Sequence, residues 1–346
     1  MKINAKQAVI WVGWAISLLF FIWAAAKIDF GKAWESMKMA DYRLFLPAVI
    51  LNIIIMGVRS MRWRIFIEPV KKLPFMPVFS ALTVGYMANM ILPARIGEVV
   101  RALVISEQEN IPKGAAFGTV VVERVFDGLS AGVFMALVIL WITPTPEQME
   151  NYHKLSAAIL SASAIFIAAF MAVYLFHKRV RPVVWLIETA TGMLPEKWGS
   201  KIHEALESLR HGLDSIDHGH RIARIVMWSV PVWALAGPFN YLFIVAFNLD
   251  LPLQAGFLVL VTQMFGLMAP SAPGFLGVYH AATMAGLMFY GVDQDTALSV
   301  AVVMHLVVFF AQTIPGFYFM WRMKYSLGQI KQREEKAEVE GLNPEL

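Results

Sequence analysis

The sequence predicts an all-α polytopic membrane protein with about six spanning helices and two re-entrant helical hairpins in an inverted repeat. Three observations predict this fold class. Of 346 residues, 58% are hydrophobic and 16% are charged, with a mean hydropathy of +0.60, which one soluble core cannot hide. Apolar segments of membrane-spanning length recur along the chain. Two further apolar regions are each split by a Pro/Gly cluster.

Six apolar segments are long enough to cross a hydrocarbon core about 30 Å thick. They lie at 8–26, 44–66, 115–142, 155–176, 225–247 and 297–321. The split regions, 75–110 and 254–290, each have a second half too short to span, so we expect re-entrant hairpins there. These segments form one predicted membrane domain over residues 1–323. The remaining residues, 324–346, form a charged cytoplasmic tail, and an amphipathic cytoplasmic segment over 178–221 joins the fourth and fifth spans.

The distribution of Lys and Arg predicts the orientation of these spans. With both termini in the cytoplasm, the predicted cytoplasmic pieces hold 23 Lys and Arg, and the predicted outer pieces hold five. This asymmetry follows the positive-inside rule and predicts a multi-pass membrane protein with both termini in the cytoplasm. If each split region instead crossed the membrane twice, every other loop would stay on the same side of the membrane. The distribution of Lys and Arg therefore does not distinguish six spans from ten.

Several classes of function are excluded or unsupported by the sequence. The chain has no cysteine, which excludes disulfides and thiolate chemistry. It contains no nucleophile elbow, Walker loop, His-Glu-x-x-His motif or dinucleotide fingerprint. We therefore predict a protein that is not an enzyme, with no cofactor, no metal and no nucleic-acid partner.

The two split regions belong to a weak internal repeat. "PARIGE" from Pro93 and "PSAPGF" from Pro270 each place a glycine four residues after a proline, at the end of an apolar half-helix. Continuing the alignment sets Glu123 against His305 within a long span. The order of the elements, rather than residue identity, defines repeat A over about 75–142 and repeat B over about 254–322.

An inverted repeat of this kind is the usual scaffold of alternating-access transport. Entering from opposite faces, the hairpin tips are expected to meet near the midplane. Half-helices beginning just after Gly97 and Gly274 would offer their positive dipole ends to an anion. The alternative is that each Pro-Gly break only kinks a buried helix.

Charged residues lie deep within the predicted third span. Glu123 and Asp127 are four residues apart and share a helix face, whereas Arg124 and Asp127 are three apart and can pair. Charges at the bilayer centre are costly, which points to a function. Their expected partners are Arg95, Arg101, and the arginines that end the second span, which are Arg59, Arg62 and Arg64. A purely structural network that holds the hairpin in place remains the alternative.

The candidate substrate-binding residues lie at the two breaks and in the spans that follow them. They are Asn89, Arg95, Gly97, Glu98, Arg101, Glu123, Arg124, Asp127, Gly274, Gly277, His280 and His305. The histidines are candidates for titration or headgroup contact, with ordinary interior histidines as the alternative. The amides of Asn89, Gln263 and Gln312 are expected to bond backbone groups freed at the breaks.

At these residues the sequence resembles the flippase-like transmembrane region of the lysylphosphatidylglycerol synthase family. The resemblance rests on "NMILPARIGEVVR" from Asn89, "ERVFD" from Glu123 and "APSAPGFLGVYH" from Ala269, and it covers nearly the whole chain. The family commonly has a glutamate where this chain has His280. The synthase's soluble aminoacyl-transferase domain is not recognised in the sequence, so lipid aminoacylation is not implied.

The resemblance implies that the protein translocates or otherwise handles a phosphate-headed lipid. The expected partner is a membrane phospholipid or a polyprenyl-phosphate lipid, moved across the plasma membrane by alternating access. Two alternatives remain open: a membrane scaffold for a lipid-modifying transferase, and a transporter of small solutes or ions.

Overall fold

The computed structural model describes residues 29–92, 96–192, 219–269 and 271–323, together with positions 15, 18, 19 and 22. The described part of the chain is α-helical and contains no β-strand. The predicted charged tail therefore lies wholly outside the described residues, and the first span lies largely outside them. Of the predicted amphipathic segment over 178–221, the structure describes 178–192 and 219–221.

Twelve helices are described, and we number them α1 to α12. Their bounds are α1 Phe30–Lys38, α2 Phe45–Ile67, α3 Phe75–Ile91, α4 Gly97–Glu109, α5 Lys113–Trp141, α6 Met149–His177, α7 Arg181–Gly192, α8 Gly219–Ala234, α9 Ala236–Ala246, α10 Leu253–Gly266, α11 Val278–Met288 and α12 Gln294–Arg322. Short 3₁₀ turns lie at Tyr42–Leu44, Pro146–Gln148 and Pro273–Phe275.

The predicted spanning helices are confirmed in the described part of the chain. Five helical segments are long and apolar enough to cross a membrane, and they match the second to sixth predicted spans. The fifth span combines α8 and α9, which meet at Leu235. Pro231 lies one turn earlier and interrupts the helix because it has no N–H to donate. The protein is therefore an all-α polytopic membrane protein.

Both split regions form a pair of shorter helices joined by a break. The first pair, α3 and α4, has 17 and 13 residues, and the second pair, α10 and α11, has 14 and 11. At 1.5 Å per residue, α4 and α11 are about 20 Å and 17 Å long, which is shorter than a hydrocarbon core of about 30 Å. We name α3–α4 hairpin A and α10–α11 hairpin B.

Hairpin A packs closely because glycines face each other across it. A Cβ added at Gly97 would lie 2.0 Å from the carbonyl oxygen of Gly85, and one added at Gly85 would lie 2.8 Å from the Arg101 Cβ. Only glycine at these positions lets the backbones of α3 and α4 approach this far. The contact sets Arg101 against the neighbouring helix.

Hairpin B has a longer break than the sequence predicted. The expectation that its second half-helix begins just after Gly274 is wrong, since α11 begins at Val278. Gly274 and Gly277 have φ of +66° and +81°, a left-handed conformation that glycine adopts without strain. Two such residues extend the turn before the helix can restart.

The break of hairpin B lies next to the end of α3, the first helix of hairpin A. A Cβ at Gly274 would lie 3.0 Å from the carbonyl oxygen of Met90, at the end of α3. A Cβ at Gly316 in α12 would lie 2.3 Å from the Met87 Cβ, so α12 and α3 pack with little space between them. The last helix of repeat B therefore packs directly on the first helix of repeat A.

Candidate functional site

Three helices bring charged side chains together inside the protein. α2 contributes Arg62, α4 contributes Arg101, and α5 contributes Glu123. Their exposed fractions are 0%, 1% and 1%. Burial of single charges is very unfavourable, so charges placed this deep require partners. We call this group, with Glu98, Arg124 and Asp127, the charged cluster.

Glu123 is the centre of the charged cluster. One carboxylate oxygen, Oε1, lies 3.1 Å from Nη2 of Arg62, and the other, Oε2, lies 2.7 Å from Nη1 of Arg101. Arg62 also pairs with Asp127, one helical turn after Glu123. The shared face that the sequence predicted for the two acids thus turns inward, toward α2 and α4.

Glu98 and Arg124 complete the cluster at its more exposed side. Arg101 Nη2 lies 2.6 Å from Glu98 Oε2, and Arg124 Nη2 lies 3.0 Å from Asp127 Oδ2, the pair that their spacing predicted. Arg124 Nη1 lies 3.6 Å from Glu98 Oε1. The Arg124 side chain is 40% exposed, so it is the member of the cluster most accessible to an incoming group.

Arg59 lies beside the cluster. Its Nη1 donates to the Tyr86 hydroxyl at 3.3 Å, and its guanidinium lies 5.4 Å from the Trp233 ring. Among the described residues, no carboxylate oxygen is within 4.0 Å of Arg59 or of Arg64, whereas Arg62 pairs with Glu123 and Asp127.

Counting Arg59 with the cluster gives four arginines and three carboxylates, a net charge of +1 for these described residues. A guanidinium held by a hydroxyl and an aromatic ring keeps the capacity to bind a phosphate oxygen. Arg101 has a similar aromatic contact, with its guanidinium 4.7 Å from the Trp63 ring. The cluster can therefore accept an anion, although its acids are already paired.

At hairpin A, internal hydrogen bonds occupy part of the predicted anion site. The Gly97 N–H donates to Asn89 Oδ1 at 2.7 Å, as expected for an amide that bonds a freed backbone group. Glu98 places a carboxylate in the first turn of α4, where the helix dipole favours negative charge. An external anion at this helix end would have to displace Glu98 or bind beside it. Arg95 lies outside the described residues.

A second polar site joins hairpin B to α12. His305 Nε2 lies 2.7 Å from the Gly274 carbonyl oxygen, and His305 Nδ1 lies 3.4 Å from His280 Nε2. The Gly277 N–H donates to His280 Nδ1 at 3.3 Å. A carbonyl can only accept, so His305 carries its proton on Nε2, and His280 donates from Nε2 to His305. The two histidines are thus neutral partners that hold the tip of hairpin B.

The two sites have corresponding positions in the two repeats. Glu123 in α5 contacts Arg101 in the short helix α4, and His305 in α12 contacts His280 in the short helix α11. The long helix of each repeat therefore meets its own short half-helix through ionisable side chains.

The structure also corrects and extends the predicted set. Gln263 bonds side chains rather than freed backbone, because its Nε2 donates to Thr283 Oγ1 at 3.0 Å and its Oε1 accepts from Asn240. The sequence did not predict the contacts of Trp63 with Arg101, of Ser229 with Arg62 and of Trp233 with Arg59. Aromatic and hydroxyl residues are common in apolar helices, so no local pattern marks these three. Among the described residues searched, no group of acids and histidines forms a metal site.

The helices and the buried charged cluster define a polytopic membrane protein with an ionised interior. The family model of the lysylphosphatidylglycerol synthase TM region matches residues 10–316 of the chain. The chain belongs to this family.

Comparison with curated proteins gives relatives that are similar in sequence over most of this chain. The chain is 26% identical to a UPF0104 membrane protein of Methanocaldococcus jannaschii, over 96% of this chain and 99% of that protein. It is 25% identical to a UPF0104 membrane protein of Methanothermobacter thermautotrophicus, over 83% of this chain and 87% of the relative. It is also 22% identical to the glycosyltransferase AglD of Haloferax volcanii, over 99% of this chain but 58% of that protein. No solved structure matches the chain.

Proposed function

We propose that the protein moves a phosphate-headed lipid across the membrane by alternating access. The observation that carries this proposal is the charge balance of the charged cluster and the adjoining Arg59: among the described residues, these groups comprise four guanidiniums and three carboxylates. Arg124 is also half-exposed beside fully buried ion pairs. A structural network would need only equal numbers of opposite charges, whereas here one described guanidinium is in excess, and a phosphate would balance it.

The cluster suggests how a headgroup would be exchanged for internal partners. Glu98 Oε1 lies 3.6 Å from Arg124 Nη1, a long contact that a phosphate oxygen can replace at little cost. The deeper pairs of Glu123 stay in place and hold α2, α4 and α5 together. The acyl chains remain in hydrocarbon, so only the polar head requires a protected path.

The second feature that supports transport is the contact between the break of hairpin B and the end of α3. Gly274 contacts the end of α3, and α12 packs directly on α3, so the two repeats share one interface. Movement of one repeat against the other would change access to the cluster from one side to the other.

The test is lipid movement in reconstituted liposomes with labelled phospholipids and, separately, labelled polyprenyl phosphates. We expect Arg59→Gln to lower the rate by about tenfold or more, as when a charge-assisted phosphate contact of about 1.4 kcal/mol or more is lost. Lys154→Gln is the control, since Lys154 is 72% exposed and pairs only with Glu150 among the described residues. Absence of movement above that of protein-free vesicles, for every lipid, would reject the proposal.

A second candidate is a membrane scaffold for a lipid-modifying transferase. It is favoured by the similarity to AglD, because the match leaves 42% of that glycosyltransferase (100% minus 58%) outside the aligned region. This role predicts a stable transferase partner in gentle-detergent purification. It also predicts that Arg59→Gln, which leaves the buried ion pairs of Glu123 intact, leaves the cellular phenotype unchanged.

A further inference from the structure

An apolar groove runs along the lipid-facing side of α5, α6 and α8. Its volume is about 580 Å³, and its walls include Phe126, Val133, Phe170 and Val230, with Trp233 near one end. Val133 and Val230 are 42% and 63% exposed, so the groove is open to the bilayer. It is not part of the charged cluster, and the proposed headgroup exchange does not use it.

The length of the groove matches one leaflet. Along α8 its lining extends from Ile222 to Ala234, which is twelve residue steps or roughly 18 Å of helix. Half of a hydrocarbon core of about 30 Å is about 15 Å, the depth that one phospholipid acyl chain occupies. An acyl chain held in this groove would lie along α8 within a single leaflet.

Basic residues lie at the Ile222 end of the groove. Lys178 Nζ lies 5.7 Å from the ring of Tyr174, which lines the groove, and Arg221 directly precedes Ile222. Positive charge at a leaflet surface attracts an anionic headgroup. The apolar wall and the basic rim together match the two parts of an anionic phospholipid.

The groove is also connected to the charged cluster. Ser229 lines the groove about midway along α8, and its hydroxyl accepts from Arg62 Nη1 at 3.4 Å. Near the other end, Trp233 Nε1 donates to Ser130 Oγ at 3.1 Å, while its ring contacts Arg59. Arg62 of the charged cluster and the adjoining Arg59 therefore lie directly behind the groove wall.

We infer that this groove is the entry site for an anionic phospholipid, with one acyl chain along α8 and the phosphate at the Lys178–Arg221 rim. The inference rests on the proposed function and specifies its substrate class and point of entry. A lipid in this position has its head one leaflet depth from Trp233 and its acyl chain alongside Ser229, whose hydroxyl accepts from Arg62.

The experiment uses the full chain in vesicles containing phosphatidylglycerol with a photoreactive group midway along one acyl chain. After irradiation, mass spectrometry maps the adducts. We expect adducts on groove residues of α5 and α8, and a decrease of about fivefold or more in Val230→Trp, because the indole fills space that the chain would occupy. Met227→Trp is the matched control, since Met227 lies on the same helix, is 59% exposed and does not line the groove.

A second pair of measurements tests the occupant. We expect Lys178→Gln combined with Arg221→Gln to lower groove labelling by phosphatidylglycerol but not by a diacylglycerol with the same chain. Uniform labelling of the lipid-facing surface that does not change in Val230→Trp would show that the probe reports only the surrounding bilayer lipid. That result would overturn the inference. Displacement by polyprenyl phosphate, but not by unlabelled phosphatidylglycerol, would also overturn it.

Lipid movement measured in the same vesicles separates the two proposals. Groove labelling without lipid movement would leave the binding site standing and reject transport. Movement that persists in Val230→Trp, with no groove-specific labelling in the wild type, would reject the groove and leave transport standing.

Discussion

At the residue scale, the protein buries ionised side chains that its sequence places in apolar helices. Arg62 is fully buried and contacts two carboxylates, those of Glu123 and Asp127. Charges in such a position contribute little net stability as a complete set, but each becomes very unfavourable when its partner is removed. The packing of α2 on α5 is therefore stable only while Arg62, Glu123 and Asp127 are all present.

Replacement of Arg62 by methionine is expected to destabilise the protein by about 3 to 5 kcal/mol, because it leaves two buried acids short of a partner. The measurement is thermal unfolding in detergent with added lipid. Lys154→Met, which disrupts an exposed pair with Glu150, is the control and should change stability by about 1 kcal/mol or less. Equal effects of the two substitutions would contradict the interpretation of Arg62 as the partner of both acids.

At the element scale, the two hairpins are held by different means. Hairpin A relies on the glycine contact between α3 and α4 and on the Asn89–Gly97 hydrogen bond. Hairpin B instead relies on the two histidines, which bond the backbone at Gly274 and Gly277. Repeats with the same order of elements can thus reach similar shapes through different chemistry.

Substitution of Gly97 by alanine is expected to cost about 1 to 3 kcal/mol, since its methyl group would meet the Gly85 carbonyl at 2.0 Å. The backbone there leaves no room for relaxation without opening hairpin A. The melting temperature and the rate of lipid movement should both fall.

Gly118→Ala in α5 is the matched control for this substitution. No atom lies within 4 Å of a Cβ built at Gly118, and alanine in a helix interior is more stable than glycine by about 0.5 to 1 kcal/mol. A neutral or stabilising effect is therefore expected. If Gly97→Ala were equally harmless, the close approach of α3 and α4 would not be a feature of the protein in the membrane.

At the scale of the whole molecule, the arrangement depends on contacts between the repeats. α12 crosses α3 where Gly316 meets Met87, and the break of hairpin B touches the end of α3. α2 and α12 contribute residues to the two largest hydrophobic clusters, one around hairpin A and one around hairpin B. The spanning helices therefore connect two hairpin-centred halves.

The re-entrant course of hairpin A remains a prediction, and the absence of native cysteine makes it simple to test. Leu92→Cys places a thiol at the hairpin tip, and Thr145→Cys places one in the exposed loop after α5. A membrane-impermeant maleimide added outside the cell is expected to label Thr145→Cys but not Leu92→Cys. Equal labelling of both from outside would mean that α3 and α4 cross the bilayer completely.

The sequence by itself determined the membrane class, the positions of the second to sixth spanning helices and the places where hairpins A and B are interrupted. These properties follow from local hydropathy, segment length and the restrictions that proline and glycine impose, and each is encoded within about 20 neighbouring residues. The pairing of Arg124 with Asp127 was also predictable, because three residues on one helix fix their distance.

Only the tertiary structure decided which distant groups meet. Arg62 and Glu123 are 61 residues apart, and His280 and His305 are 25 apart on separate helices, so no local periodicity brings them together. The contacts of the Arg59 guanidinium and the shape of the groove beside α8 likewise depend on how α2, α5, α6 and α8 pack. Composition places charges and apolar surface in the chain, whereas helix packing determines which charges neutralise each other and which surface remains open to lipid.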